Sequence, residues 1–163
     1  MKVERSTVTS FWRCLAKDLQ KQIPLKKEPN IYEYNKVLAY LDDEYNIIFN
    51  QSKNCIINKK IKFKYSNIEN ITNDKIYIKI LKVLFHEIGR LFILDIQEMR
   101  PEFEIPEYSI ENFVNAMLMP EDSFIKEVIN NSHNNNISIM NIANKFNIDY
   151  LDVLVRGIEL NLF

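Results

Sequence analysis

The residues of this chain best suited to chemistry are His86 and Glu87, in the segment Phe85-His86-Glu87-Ile88-Gly89-Arg90. A helix with the pattern His-Glu-x-x-His places two imidazoles one turn apart on one face. Both can then bind one zinc ion, while the Glu acts as general base on a metal-bound water. Here the position of the second imidazole is held by Arg90, whose guanidinium stays charged and is not a metal ligand. The segment therefore keeps one ligand and a general base and lacks the second ligand.

Arg90 has a different partner within reach. It lies three residues after Glu87, a spacing that brings two side chains together on a helix. We therefore predict a Glu87–Arg90 ion pair. Because the guanidinium would stand near the place that a metal ion would take, it would oppose a dication electrostatically.

The elements that position this segment are predicted to be mainly helical. Residues 75–94 form the strongest helical pattern, with a broad apolar stripe typical of a central buried helix: Ile76, Ile80, Val83, Leu84, Ile88, Leu91 and Phe92. Further helices are predicted over 8–23 (capped by Thr9 or Ser10), 32–45, about 109–119, 121–130, 137–146 and 149–160. A polar loop over 130–136 carries His133, which we expect to be solvated.

Strand propensity is confined to one part of the chain. Residues 46–61 are rich in Ile, with a polar turn at 50–54, and Ile61, Phe63 and Tyr65 then alternate with lysines. Residues 71–78 are a further candidate strand. We predict an α+β domain, mainly helical, with a sheet of about three strands beside the motif helix.

Composition limits the class of protein. A chain of 163 residues, 47% of them hydrophobic, can bury one core, and its net charge of -1 gives no field that would attract nucleic acid or an anionic membrane. No apolar run approaches the roughly 18 residues of a membrane span, and the start of the chain is not a signal peptide. Cys14 and Cys55 are far apart and fit reduced thiols. We predict a cytoplasmic protein without a membrane or nucleic-acid partner.

Three segments together resemble the ImmA/IrrE family of bacterial and phage metallopeptidases. Leu84-Phe85-His86-Glu87-Ile88-Gly89-Arg90-Leu91 is similar to the family's His-Glu-Leu-Gly-His helix. Glu111-Asn112-Phe113-Val114-Asn115-Ala116-Met117-Leu118-Met119-Pro120 is similar to its Phe…Leu-Met-Pro helix, and residues 142–148 with 154–156 are similar to its closing segment. The resemblance covers about residues 47–160. We therefore divide the chain into an amino-terminal helix and linker, 1–30, and a metallopeptidase-type domain, 31–163.

The resemblance implies a zincin-like fold and a set of site positions. It implies that His86 is the first zinc ligand and Glu87 the general base, while Arg90 stands at the second ligand position and Ser109 at the third. Two of the family's ligands are then replaced. Glu107 is a candidate substitute ligand. Glu111 should face away from Ser109 on a helix, and His133 would have to fold back from its loop.

We interpret the chain as a catalytically degenerate member of this group, from a phage, a mobile element or its host. It would act as a regulatory or binding protein whose partner is a repressor or other transcription regulator, with no cofactor expected. The alternative is an active zinc metallopeptidase that cleaves a repressor with non-standard ligands. Those would be His86 with Glu107 or Glu111, and His133 or water. The amino-terminal helix would either dock through Phe11, Trp12 and Leu15 or form a dimer contact, and the sequence leaves both open, as it does the oligomeric state.

Overall fold

The computed structural model describes residues 5–23, 40, 42–45, 55–57, 60–62, 74–133 and 136–163. Within these residues, the helices are α1 (Arg5–Gln22), α2 (Asp74–Met99), α3 (Ile110–Leu118), α4 (Glu121–Asn130), α5 (Ile139–Phe146) and α6 (Tyr150–Glu159), with a 3-10 turn at Glu107–Ser109. Residues 40 and 42–45 are also helical. Strand β1 (Cys55–Ile57) pairs antiparallel with β2 (Lys60–Lys62), and β3 (Ser132–His133) pairs antiparallel with β4 (Asn136–Ile137).

The predicted class, mainly helical with a small sheet, is confirmed, and β1 lies against the motif helix α2. The described sheets have two strands each. The candidate strand 71–78 is wrong over residues 74–78, which form the first turns of α2; residues 71–73 lie outside the described part, as do 32–39, 46–54 and 63–65. Tyr77 and Ile78 are both buried there and continue into Leu81, a helical rather than an alternating pattern.

Helix α2 passes through the centre of the main core. Leu84, Phe85 and Ile88 are completely buried, whereas Ile76, which the apolar stripe was expected to include, is 49% exposed. The helix also continues to Met99, five residues past the predicted end, because the first residue that cannot extend it is Pro101. The central position predicted for this helix is confirmed.

Helix α1 packs on the body of the protein along α3. Trp12 is completely buried and its ring lies 5.6 Å from that of Phe113. Gln20 Nε2 donates a hydrogen bond of 2.7 Å to the Ala116 carbonyl, in the middle of α3. Of the two roles considered for this helix, docking on the body is the one observed. The helix begins at Arg5, so the predicted cap at Thr9 or Ser10 is wrong.

A second, smaller cluster lies where α4, α5 and α6 meet. Phe124, Phe146 and Val153 are among its buried side chains, and Asn147, in the left-handed conformation, ends α5. Arg156 is 2% exposed; its Nε donates to the Met119 carbonyl at 3.2 Å and its Nη1 lies 2.9 Å from Glu159 Oε1. Burial lowers the pKa of Arg156 and raises the pKa of Glu159. The ion pair lies within α6, and the hydrogen bond from Arg156 to the Met119 carbonyl joins α6 to the end of α3.

Three further features of the described residues complete the fold. The predicted loop over 130–136 is wrong at Ser132, His133 and Asn136, which lie in the paired strands β3 and β4; His133 is exposed there, as expected. Cys14 is an exposed free thiol. Among the helices that the structure describes, none is long and apolar enough to cross a membrane.

Candidate functional site

The motif residues lie near the middle of α2. His86 is half-buried and Glu87 is 6% exposed. Arg90 Nη1 lies 3.2 Å from Glu87 Oε2 and 3.5 Å from Oε1, so the predicted ion pair is present. The spacing on the helix explains the contact, since residues three apart are neighbours on its surface.

Arg90 also contacts a second carboxylate, from outside its helix. Its Nε lies 3.1 Å from Glu107 Oε1, at the start of the 3-10 turn, where Glu107 is 67% exposed. The guanidinium therefore bridges Glu87 and Glu107 across the gap between α2 and that turn. Sequence reasoning treated Glu107 only as a substitute ligand. Its pairing with Arg90 was missed because the two residues lie 17 positions apart and no local pattern connects them.

Ser109, the position that the resemblance gives to a third ligand, is held by two hydrogen bonds. The residue is 3% exposed; its hydroxyl accepts from Trp12 Nε1 at 2.8 Å and donates to the Pro106 carbonyl at 2.6 Å. Both bonds are buried or partly buried, and one of them comes from α1. The hydroxyl is therefore part of the contact between the amino-terminal helix and the 3-10 turn, a role that sequence reasoning missed.

Gly89 allows the start of α3 to lie against the motif. A Cβ atom at this position would lie 2.5 Å from Ile110 Cγ2, closer than real Cβ atoms approach their neighbours. Ile110 is the first residue of α3 and is completely buried. The glycine thus brings the turn that carries Glu107 and Ser109 next to Arg90.

The donor atoms of these residues decide whether a zinc ion can bind here. Zinc in a catalytic site takes three protein ligands and one open position. Here the first position offers His86, the second a guanidinium that pairs with two carboxylates, and the third a hydroxyl bonded to Trp12. Glu111 and His133 are exposed, and within the described residues no three His, Cys, Asp or Glu side chains are grouped to hold a metal. The residues present do not fit a catalytic zinc site.

A cleft opens beside Arg90. It has a volume of about 210 Å³ and lies between the carboxyl-terminal half of α2 and the segment before the 3-10 turn. Its lining combines one cation, one carboxylate, one amide and three apolar side chains: Arg90, Glu107, Gln97, Ile93, Leu94 and Ile105. Such a lining can hold an apolar side chain and hydrogen-bond to the polar groups next to it.

No family model matches the chain, and neither a curated protein nor a solved structure matches it.

Proposed function

We propose that this chain is a catalytically degenerate protein of the ImmA/IrrE type, with a zincin-like domain, that acts by binding a protein partner. The observation that carries the proposal is the position of Arg90. The residue that stands where the resemblance places a second zinc ligand forms ion pairs with Glu87 at 3.2 Å and with Glu107 at 3.1 Å. Glu87, the implied general base, therefore serves as the counter-ion of an arginine.

Charge and burial support this interpretation. A divalent cation beside Arg90 would be repelled by the guanidinium, and the repulsion is stronger in a partly buried place than in water. Glu87 is 6% exposed, so without Arg90 its carboxylate would lose its nearby cation while remaining buried. Arg90 thus stabilises a carboxylate that the fold keeps out of water, and it does so without a metal ion.

The role as a binding protein rests on the cleft and on the resemblance together. The cleft beside Arg90 has polar groups and apolar side chains at one edge of α2, as a peptide-binding surface needs. The resemblance suggests a repressor or other transcription regulator as the partner, in a cytoplasmic setting of phage or mobile-element origin. A protein that binds without cleaving would still change the activity of such a regulator.

Metal content tests the proposal directly. Untagged protein is loaded with zinc, dialysed, and assayed by elemental analysis, with the His86→Ala variant as the matched control. We expect far less than one zinc per chain and the same value for both proteins. Near-stoichiometric zinc that is lost in His86→Ala would contradict the proposal and favour the peptidase alternative.

Restoring the two missing zinc ligands, at positions 90 and 109, tests whether the domain is zincin-like. Arg90→His alone should gain little zinc affinity, because Ser109 still offers a hydroxyl bonded to Trp12. The double variant Arg90→His/Ser109→Glu should bind zinc measurably more tightly than either single variant if the geometry is zincin-like. A double variant that is folded by circular dichroism and still gains no zinc would count against the zincin-like assignment.

A further inference from the structure

Helix α6 turns its charged side chains toward the protein and its apolar side chains toward solvent. Its charged residues are Asp152, Arg156 and Glu159. The side chains of the paired Arg156 and Glu159 are 2% and 4% exposed. The carboxylate of Asp152 is 17% exposed and accepts a hydrogen bond from Lys82 Nζ at 2.7 Å. A surface helix of a globular protein ordinarily has the opposite arrangement.

Every exposed position of this ten-residue helix is apolar. Leu151 is 69% exposed, Ile158 62%, Val155 45% and Tyr150 44%. Single exposed apolar residues are common on soluble proteins, but a contiguous group of them marks an interaction site. Helix α4, which has the same length, shows the ordinary pattern, since its exposed residues are Asp122, Lys126, Ile129 and Asn130.

The exposed residues of α6 have the spacing of a helix-packing surface. Leu151, Val155 and Ile158 are four and then three residues apart, so they lie on one side of the helix, and the half-buried Leu154 lies beside them. We call these four residues the α6 face. The same spacing forms the seam along which two helices pack against each other. The surface that fits the α6 face is therefore another apolar helix surface.

We propose that the α6 face is the contact between two copies of this chain, which pair their α6 helices about a twofold axis. Near such an axis each side chain lies opposite its own equivalent, so a charged side chain there would be repelled by its like. The α6 face contains no charged side chain and is therefore complementary to itself. The inference does not depend on the proposed function.

The charges around the α6 face do not suit an anionic membrane. Helices that lie on such a membrane carry lysines or arginines on their polar side. The one cation of α6 is Arg156, which is buried and paired with Glu159, while Asp149, just before the helix, is exposed. A partner recognised through its charge would also find no opposite charge on this face.

The size of the α6 face sets the expected strength of the dimer. Stable interfaces bury about 800 Å² on each partner, contributed by about 20–30 residues, and the α6 face has four. We therefore expect a reversible dimer whose dissociation constant is in the micromolar range, roughly 10–100 μM.

Sedimentation equilibrium of the untagged chain over a range of concentrations tests the dimer. The pair Leu151→Ser/Ile158→Ser should weaken dimerisation about tenfold or more. Leu94→Ser/Met99→Ser is the matched control, because it removes two apolar side chains of α2 that are 48% and 72% exposed, and it should dimerise as the native chain does. About 1 M salt, where the Debye length falls to about 3 Å, should not dissociate the dimer, since its contact is apolar.

Cross-linking locates the contact without weakening the α6 face by polar substitutions. Cysteine is introduced at Val155, in the middle of α6, in a chain that also carries Cys14→Ser, and a short bis-maleimide is added. Val155→Cys should give a covalent dimer, because the middle of the helix lies next to its own equivalent across the axis. The matched control is Met99→Cys in the same background, which should give no more dimer than the background itself. Circular dichroism establishes that every variant is folded.

Three results would overturn the inference. They are a chain that stays monomeric up to about 1 mM, a dimer that Leu151→Ser/Ile158→Ser and Leu94→Ser/Met99→Ser weaken equally or not at all, and equal cross-linking of Val155→Cys and Met99→Cys. None of them bears on the metal content of the protein, so failure of the dimer is distinct from failure of the proposed function.

Discussion

At Gly89 the absence of a side chain decides how two helices meet. The residue lies inside α2, where alanine would ordinarily be preferred by about 1 kcal/mol over glycine. Ile110 Cγ2 nevertheless occupies the space that a Cβ would need, and Ile110 is completely buried at the start of α3. The packing requirement therefore outweighs the helix propensity at this position.

Gly89→Ala should destabilise the protein by about 1–2 kcal/mol, because overpacking of a filled core costs more than the propensity gain returns. Chemical denaturation measures the change. Gly157→Ala is the comparison: its Cβ would meet the ring of Phe163, which is 40% exposed and can move aside. Gly157→Ala should lower the free energy of unfolding by less than Gly89→Ala does. A stabilised Gly89→Ala protein would show that Ile110 has room to yield.

Arg156 gives a second test at the scale of single residues. Arg156→Ala should cost about 3–5 kcal/mol, since Glu159 would stay buried without its cation and the Met119 carbonyl would lose a donor. The double variant Arg156→Met/Glu159→Leu removes both charges and should cost much less than the single one. Denaturant melts of the native chain, the single variant and the double variant give the free energy of unfolding of each. Equal losses of stability in the single and double variants would mean that the packing of these side chains, rather than their charge, holds α6 in place.

At the scale of elements, α1 packs on α3 through apolar side chains and is joined to α4 by charge. Glu121 Oε2, in the first turn of α4, lies 3.0 Å from Arg13 Nη2 and 2.9 Å from Lys17 Nζ. Burial alone would raise the pKa of Glu121, but the hydrogen bonds from Lys17 and Arg13 outweigh it and hold the pKa below the usual range. The ionised carboxylate is therefore favoured in the folded protein.

This pairing should make the protein less stable in acid. A carboxyl group whose pKa is lowered by folding adds stability above its unfolded pKa, and that stability is lost as the pH falls through the folded pKa. Glu121→Gln should thus cost about 1 kcal/mol at neutral pH and nothing once the native Glu121 is protonated. Melts of both proteins from neutral to strongly acidic pH measure the difference between their free energies of unfolding at each pH. A constant difference across the range would mean that the charge of Glu121 is not involved.

Much of the helical layout can be predicted from local signals. Pro120 separates α3 from α4, and the predicted helix 121–130 coincides with Glu121–Asn130. The start of α1 at Arg5 could not be predicted from its apolar residues, because Thr9 and Ser10 imitate a cap within the helix. The Glu87–Arg90 pair follows from helical spacing, whereas Glu107 and Trp12 reach the site only through tertiary packing.

At the scale of the whole molecule, α1 belongs to the same core as the motif helix. Val8, Trp12, Ala16, Leu19 and Ile23 are all buried in the cluster that includes Leu84 and Phe113. Burying a large apolar side chain contributes about 1.5–3 kcal/mol, so this set contributes an amount comparable with the total stability of an ordinary domain. The division into 1–30 and 31–163 stays a prediction about independent folding, and it can be tested.

We expect a chain that lacks residues 1–23 to lose cooperative unfolding, because its main core would be opened along α3. Thermal and denaturant melts by circular dichroism measure this, and adding a peptide of residues 1–23 should restore the transition. Cys14→Ser, which alters only an exposed residue of the same helix, serves as the control. A sharp transition in the truncated chain would show that the remaining residues fold independently, as the division predicts.

The hydrogen bond from Trp12 to Ser109 has a consequence for how this sequence can change over time. A glutamate at position 109 would have to enter a place that is 3% exposed and already filled by the contact of the hydroxyl with an indole N–H. On the proposed ancestry, a reversal at that position would remove the hydroxyl that accepts from Trp12 Nε1 and would weaken the contact with α1. Substitutions that were once independent would then have become mutually dependent, so that a return to the ancestral ligand set passes through less stable intermediates.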